Sequence, residues 1–319
     1  MNSSFDNIND IFDDSNIRDQ FLNICIRGNV NDLLKLYETN SNIINVSDFD
    51  AIFRTTCFKG NMEIFKKLYE WKPTIKDTIN FDKCFVLACS GGHIDIVKFI
   101  VKEKPSIDVR FNNDSAFRMS CWNGHFDILK QLYEWNPDIN IKYNNEEAFL
   151  LACNGGHTDI VKQLLIWEPN IDISISFEEP FRLACLNGYL EILKILLEKK
   201  PNINLSINND EGFKLACNNN HLDIIEYLLK LNPKYLNNNK TIDNIPYKIK
   251  IFIASIGYKI KMNDWYGSLI DNNYLSECHI CFEKFDKIIK TPCNHIFCQK
   301  CILTWITNNS SCPYCRTII

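Results

Sequence analysis

Residues 85–105 read FVLACSGGHIDIVKFIVKEKP, and residues 149–169 read FLLACNGGHTDIVKQLLIWEP. Working outward from these two stretches, the same landmarks return every 32 residues. Cysteine stands at Cys25, Cys57, Cys89, Cys121, Cys153, Cys185 and Cys217, and phenylalanine at Phe21, Phe53, Phe85, Phe117, Phe149, Phe181 and Phe213. Pro73, Pro105, Pro137, Pro169, Pro201 and Pro233 keep the step, as do Gly28, Gly60, Gly92, Gly124, Gly156 and Gly188, a series that ends in Asn220. A fixed period of this length marks a stack of units, each burying its apolar face against its neighbours. Seven units are expected.

Inside Phe85–Pro105 a short apolar segment ends at Gly91 and Gly92, and a second follows with Ile96, Val97 and Ile100 on one helical face. Gly92 suits a left-handed helix end, Asp95 places negative charge in the next first turn, and Pro105 stops that helix. Each unit therefore reads as helix, tight turn, helix and extended connection.

The quoted stretches resemble the ankyrin repeat, with small residues in the first helix and a Gly-His turn before the second. The resemblance covers about two thirds of the chain and implies an α-solenoid whose long face recognises protein. The usual Thr-Pro-Leu-His opening is absent, Phe stands where Leu is common, and the typical period is about 33 residues. Short or irregular connecting hairpins are expected.

The seven periodic cysteines read as small buried hydrophobes, at a position that in ankyrin-like units is normally Ala. Packed helices lie about 8–10 Å apart, too far for neighbouring cysteines to share an ion. His93, His125, His157 and His221 read as turn stabilisers, since Asn61 and Tyr189 replace them in other units. Asp50, Asp82, Asp114, Glu146, Glu178 and Asp210 are acidic and in register. They fit favourable helix-dipole placement, and they also fit an acidic ladder selecting a basic segment of a partner.

A different pattern fills residues 278–315, CHICFEKFDKIIKTPCNHIFCQKCILTWITNNSSCPYC. Cys278, Cys281, Cys293, His295, Cys298, Cys301, Cys312 and Cys315 are enough ligands for two zinc ions in closed tetrahedral sites, and a two-residue gap lets both thiolates of a pair reach one ion. Three Cys, one His and four Cys in this order resemble the RING finger. That resemblance implies interleaved, cross-braced sites: Cys278, Cys281, Cys298 and Cys301 on one zinc, and Cys293, His295, Cys312 and Cys315 on the other. So short a segment folds only with its metal.

RING fingers act chiefly as ubiquitin ligases that form no covalent intermediate. By that resemblance Ile280, Trp305 and Pro313 form a shallow apolar platform for a ubiquitin-conjugating enzyme. Arg316 is the cation that bridges this enzyme and its thioester-linked ubiquitin, holding the donor closed. The bland reading makes Ile280 and Trp305 core, Pro313 a knuckle-shaping residue and Arg316 a solvated charge. Phe297 and Ile302 read as core.

Over 319 residues, 46% hydrophobic and 23% charged, the composition is that of an ordinary soluble protein. A net charge of -4 argues against nucleic acid as the main partner. No apolar run reaches membrane-spanning length, residues 1–20 lack a signal-peptide core, and thiolate ligands need a reducing compartment. An intracellular, cytoplasmic chain without a membrane partner is expected. Asparagine and isoleucine are abundant, a bias resembling that of proteins from AT-rich genomes, those of large DNA viruses among them.

The expected fold class is mainly α: a segment over 1–20, an ankyrin-like array over 21–234, a cap and linker over 235–274, and a RING over 275–319. Tyr247–Lys261 alternates apolar and basic residues and fits either a strand or an irregular helix, while Asn272 and Asn273 read as loop. The array carries no phosphate-cradling glycine loop and no nucleophile–base pair. The resemblances together imply a RING-type ubiquitin-protein transferase, with ubiquitin and its conjugating enzyme as partners and an unknown protein substrate on the array. The competing reading is a non-catalytic scaffold, or a decoy, with a structural zinc module.

Overall fold

A computed structural model describes residues 17–40, 46–71, 79–238, 241–242, 245–258, 269–291, 293–306, 309 and 311–317. The chain forms two compact units, Met1–Ile171 and Asp172–Ile319. Among the described residues the first holds five helix pairs: α1 (Ile17–Arg27) and α2 (Val30–Asn40), α3 (Val46–Lys59) and α4 (Met62–Trp71), α5 (Phe81–Gly91) and α6 (Ile94–Glu103), α7 (Phe111–Asn123) and α8 (Phe126–Trp135), α9 (Tyr143–Gly155) and α10 (Thr158–Trp167). First helices stack in series, α1 on α3, α3 on α5, α5 on α7 and α7 on α9. Each turns the same residues inward, so Phe85, Ala88 and Cys89 are buried in α5, and Phe149, Ala152 and Cys153 in α9. The second helices α4, α6, α8 and α10 bury a triplet at spacing i, i+1, i+4, such as Ile96, Val97 and Ile100.

The periodic cysteines are buried at every position, as small core residues. Burial pushes the Cys25 thiol up to about 11 and raises Cys89, Cys121, Cys153, Cys185 and Cys217 further, so each stays a neutral thiol.

The turn within each pair has two parts. Gly92 is left-handed at φ 84°, and its N–H and that of His93 return to the last carbonyls of α5. The next unit's histidine then reaches back: His125 Nε2 lies 2.9 Å from Ser90 O, His93 Nε2 2.9 Å from Phe58 O, and His157 Nε2 2.9 Å from Trp122 O. Asn61 does the same with Nδ2, 3.1 Å from Gly28 O. The turn histidines thus brace one unit against its predecessor.

The connections differ from the extended form expected. Two tight turns follow α6, closed by Ile107 N to Lys104 O at 2.9 Å and Phe111 N to Asp108 O at 3.0 Å. The chain then kinks inside the start of α7 at three left-handed residues, Asn112 (φ 53°), Asn113 (φ 54°) and Asp114 (φ 59°), and α9 repeats the kink at Asn144, Asn145 and Glu146. Asn and Asp tolerate this region because short polar side chains bond locally, whereas most L-residues are disfavoured there by about 1–2 kcal/mol.

This geometry corrects the acidic-ladder expectation at four of its six positions. Asp114, Glu146, Glu178 and Asp210 are buried, Asp114 facing Arg110 Nε at 3.2 Å and Glu146 facing Lys142 Nζ at 4.0 Å. They hold the connections in place and present no charge for a partner.

The second unit contains α11 (Ile175–Asn187), α12 (Leu190–Lys199), α13 (Ile207–Asn218) and α14 (Leu222–Leu231), a 3-10 turn at Pro233–Asn237 and α15 (Tyr247–Ser255). Asp210 accepts bonds from Asn238 Nδ2 at 2.7 Å and Thr241 Oγ1 at 2.6 Å, closing the last helix pair against the segment that follows. At the seventh turn Asn220 takes φ 63° where the earlier units have glycine. The expected strand-or-helix over Tyr247–Lys261 is helix over α15, with residues 259–261 outside those described.

Beyond it β1 (Leu269–Glu277), β2 (Lys284–Lys290) and β3 (Ile296–Cys298) form an antiparallel sheet in the order β1-β2-β3, followed by α16 (Gln299–Ile306). Asn272 and Asn273, expected in a loop, lie within β1 where its register against β2 shifts between Asp271 and Ser276. Of the N-terminal segment 1–20, residues 1–16 lie outside those described and Ile17–Gln20 begin α1. Among the described residues no helix is long and apolar enough to cross a membrane.

Candidate metal centres and the groove beside them

Four knuckles bring the eight ligands together. The first opens after β1, where Cys278 precedes a reversal at Phe282 (φ 58°), whose N–H returns to Cys278 O at 2.9 Å. A second joins β2 to β3 through Cys293, Asn294 (φ 64°) and His295. Cys298 ends β3 and Cys301 lies in the first turn of α16, making the third. The fourth is Cys312 to Cys315, closed by Arg316 N to Cys312 O at 3.0 Å and Cys312 N to Thr317 O at 2.7 Å.

These knuckles group Cys278, Cys281, Cys298 and Cys301, and separately Cys293, His295, Cys312 and Cys315, with ligand atoms of each set within 4.8 Å of one another. The imidazole presents Nδ1, 3.3 Å from Cys293 Sγ and 3.6 Å from Cys312 Sγ. Four sulfurs in one set, and three sulfurs with one nitrogen in the other, are donor sets of structural zinc, so the residues fit two Zn(II) ions in an interleaved brace.

Local hydrogen bonds favour thiolate at two of the ligands, while burial raises the thiols of Cys293, Cys298 and Cys301. Burial raises the Cys278 thiol, yet backbone hydrogen bonds from Cys281, Cys298 and Ile280 outweigh it and bring it down to about 7. At Cys315 hydrogen bonds from the Thr317 side chain and backbone lower the thiol to about 6, with Thr317 Oγ1 3.1 Å from Sγ. At Cys293 burial raises the thiol overall, and the Thr291 hydroxyl, 3.1 Å from Sγ and accepting His295 N at 3.2 Å, offsets part of that rise. Reading the sequence for ligands passed over Thr291 and Thr317; a threonine two residues from a ligand was the available signal.

Phe297 and Ile302 are fully buried in the module's core with Ile289 and the ligands Cys278, Cys298 and Cys312. Beside the first ligand set lies an open, mainly apolar groove of about 650 Å³. Ile280, 38% exposed, and Trp305 from α16 both line it, joined by Phe285, Lys300, Thr304 and Asn309. The Trp305 indole is held by Nε1 donating to Ser311 O at 2.8 Å. Pro313 is half-buried between the last two ligands and does not line this groove. Arg316 is exposed, at φ 63°.

Comparison with known proteins agrees with both parts. The family described as "Ring finger domain" matches residues 276–316, and "Ankyrin repeats (3 copies)" matches residues 52–144 and 149–242, more than half of the chain. Bovine RING finger protein 151 is 44% identical over 46 residues, 14% of this chain and 18% of that protein. E3 ubiquitin-protein ligase RNFT1 of Xenopus laevis is 40% identical over 58 residues, 17% of this chain and 14% of that protein. Human E3 ubiquitin-protein ligase RNF125 is 41% identical over 44 residues, 14% of this chain and 19% of that protein. The chain thus spans less than a fifth of the length of these relatives. The crystal structure of the human ASB11 ankyrin repeat domain aligns at 16% identity and TM-score 0.42, covering 61% of this chain and 90% of that one. With most of its length matching the repeat profile and the two ligand sets closing the module behind it, the chain belongs to the ankyrin-repeat family and carries a RING finger domain after the repeats.

Proposed function

We propose that this chain is a RING-type ubiquitin-protein ligase. The groove beside the first ligand set carries the reading: an apolar depression held rigid by a zinc brace, with Ile280 and Trp305 on its wall, is a dock for another protein's loops. Ile280, Trp305 and Pro313 seat a ubiquitin-conjugating enzyme, and Arg316 bridges that enzyme to its bound ubiquitin. Residues 21–234 hold the substrate protein, residues 235–274 join the two parts, and residues 275–319 act as the transfer module, in a reducing, cytoplasmic compartment.

The chemistry belongs to the docked pair. A substrate lysine amine attacks the thioester carbonyl; the carbon–sulfur bond breaks, the enzyme's cysteine leaves as thiolate, the amine gives up its proton and an amide forms. This chain contributes proximity and orientation. Closed zinc sites hold the fold and offer no open position for activating water.

The test mixes the full chain with activating enzyme, ubiquitin, ATP and a panel of conjugating enzymes. Chain formation with at least one of them is expected. Zinc at two per chain without any transfer would replace this reading with a scaffold, and binding without thioester discharge would replace it with a decoy.

A further inference from the structure

The helix α15 has an unusual sequence for a helix, because isoleucine occupies every second position at Ile249, Ile251 and Ile253. Such alternation suits a strand with one buried face. At 3.6 residues per turn, Ile249 and Ile253 fall about 40° apart on the cylinder while Ile251 lies on its far side. All three are nonetheless buried, at 1%, 1% and 0% exposure. A helix with opposite faces both dry is enclosed between two bodies.

Both bodies are visible in the second unit. On one side α15 packs against α14 of the last helix pair, and on the other against α16 of the zinc module. Ile251 is a full member of the zinc module's core, buried with Ile289, Phe297 and Ile302 and with three of the metal ligands. Lys248 and Lys250 lie on the strips of the helix between its two buried faces, at intermediate exposure.

We propose that α15 is a two-faced adapter that locks the zinc module onto the last helix pair through Ile251, and that Ile251 is a positioning residue setting which lysines lie within reach of transferred ubiquitin. Linked domains ordinarily move relative to each other unless their interface is substantial and apolar. Here the interface includes a core residue of one partner, so the transfer point stands at a fixed offset from the end of the array. The rigidity follows from packing alone, while the choice of lysines rests on the ligase reading above.

The test uses the full chain. Rotational correlation times from backbone amide relaxation are compared between β2, β3 and α16 on one side and α12 and α14 on the other. Equal times are expected in the wild type and in Ile251→Val. In Ile251→Lys, with zinc still at two per chain, the module's time falls about twofold or more as it tumbles separately. Should Ile251→Lys release zinc, Ile251→Ala takes its place with the same expected fall. Separate tumbling in the wild type, or shared tumbling in every variant, overturns the adapter. A second arm supplies thioester-charged conjugating enzyme. Discharge to free lysine persists in the uncoupled variant, while self-modification mapped by mass spectrometry spreads over more of the chain's own lysines. An unchanged lysine pattern overturns the positioning role. If the wild type fails to discharge any enzyme of the panel, the ligase reading falls while the tumbling result stands.

Discussion

The guanidinium of Arg316 lies over the face of the Trp305 indole, with Cζ 4.7 Å from the ring centroid. The indole cannot swing away, because its own N–H is bonded to Ser311 O at 2.8 Å. A cation over a ring at a partly exposed site is held by about 0.5–1 kcal/mol, which narrows the range of a long side chain without burying it. The cation proposed to meet donor ubiquitin thus packs on Trp305, a wall residue of the groove proposed for the conjugating enzyme. Arg316→Ala should slow thioester discharge on the order of 10²-fold while leaving zinc at two per chain. Discharge kinetics with elemental analysis check this, and wild-type rates in the variant would remove Arg316 from the mechanism.

Ile280 makes the complementary prediction for docking. Its side chain is 38% exposed on the groove and contributes little to the module's own core. Ile280→Ala should weaken the conjugating enzyme by about 1–2 kcal/mol, roughly tenfold in Kd, with thermal stability and zinc content unchanged. Titration calorimetry measures the first and a melting curve the second.

Removing a ligand should act on folding instead. Cys293→Ala takes one sulfur from the second set, and a core this small does not hold without its metal. Zinc content should fall, and dispersed amide resonances of β2, β3 and α16 should collapse while those of α3 to α8 persist. Chelator treatment of the wild type should give the same spectrum.

The periodic thiols predict an alkaline limit for the array. Cys25 is raised from the ordinary 9.0 to about 11 by burial, and Cys89, Cys121, Cys153, Cys185 and Cys217 are raised further. Below pH 9.0 folded and unfolded thiols are both protonated, so stability is flat with respect to these groups. Above it the unfolded chain loses protons that the folded chain keeps. Stability should then fall by up to about 1.4 kcal/mol per pH unit for each cysteine. Urea midpoints measured between pH 8 and 10.5 should show this decline, less steeply in Cys153→Ala.

At the turns, Gly92 carries two demands at once. Its φ is 84°, and a Cβ there would stand 2.6 Å from the His125 ring. Gly92→Ala should cost about 1–2 kcal/mol from the backbone alone, and more if the ring cannot yield. His125→Ala loses the bond to Ser90 O, worth about 1 kcal/mol. The double variant should be less destabilised than the sum, because removing the ring also removes the clash.

Period and ligand spacing carried most of the fold and both metal sets, since repetition and metal geometry are written in the order of residues. Gly92 was readable as a left-handed end for the same reason. Other features depend on contacts distant in sequence. Asp114 and Glu146 look like surface charges until the left-handed turns around them tuck their carboxylates against Arg110 and Lys142. Ile249, Ile251 and Ile253 alternate like a strand because two separate bodies bury a single helix. Asn272 and Asn273 have the composition of a loop, yet they lie inside β1, in the irregular stretch between its paired residues Asp271 and Ser276.

The reach of each turn histidine into the unit before it bears on how such a chain can lengthen. Every brace takes its donor from one unit and its acceptor from the previous one, as with His125 and Ser90 O, so no unit is complete alone and none is tied to a particular neighbour. A tandem duplication of 32 codons, landing in frame, would supply a hand for the copy upstream and a hold for the copy downstream. Genetic drift could extend or trim the row by whole steps without redesigning any joint.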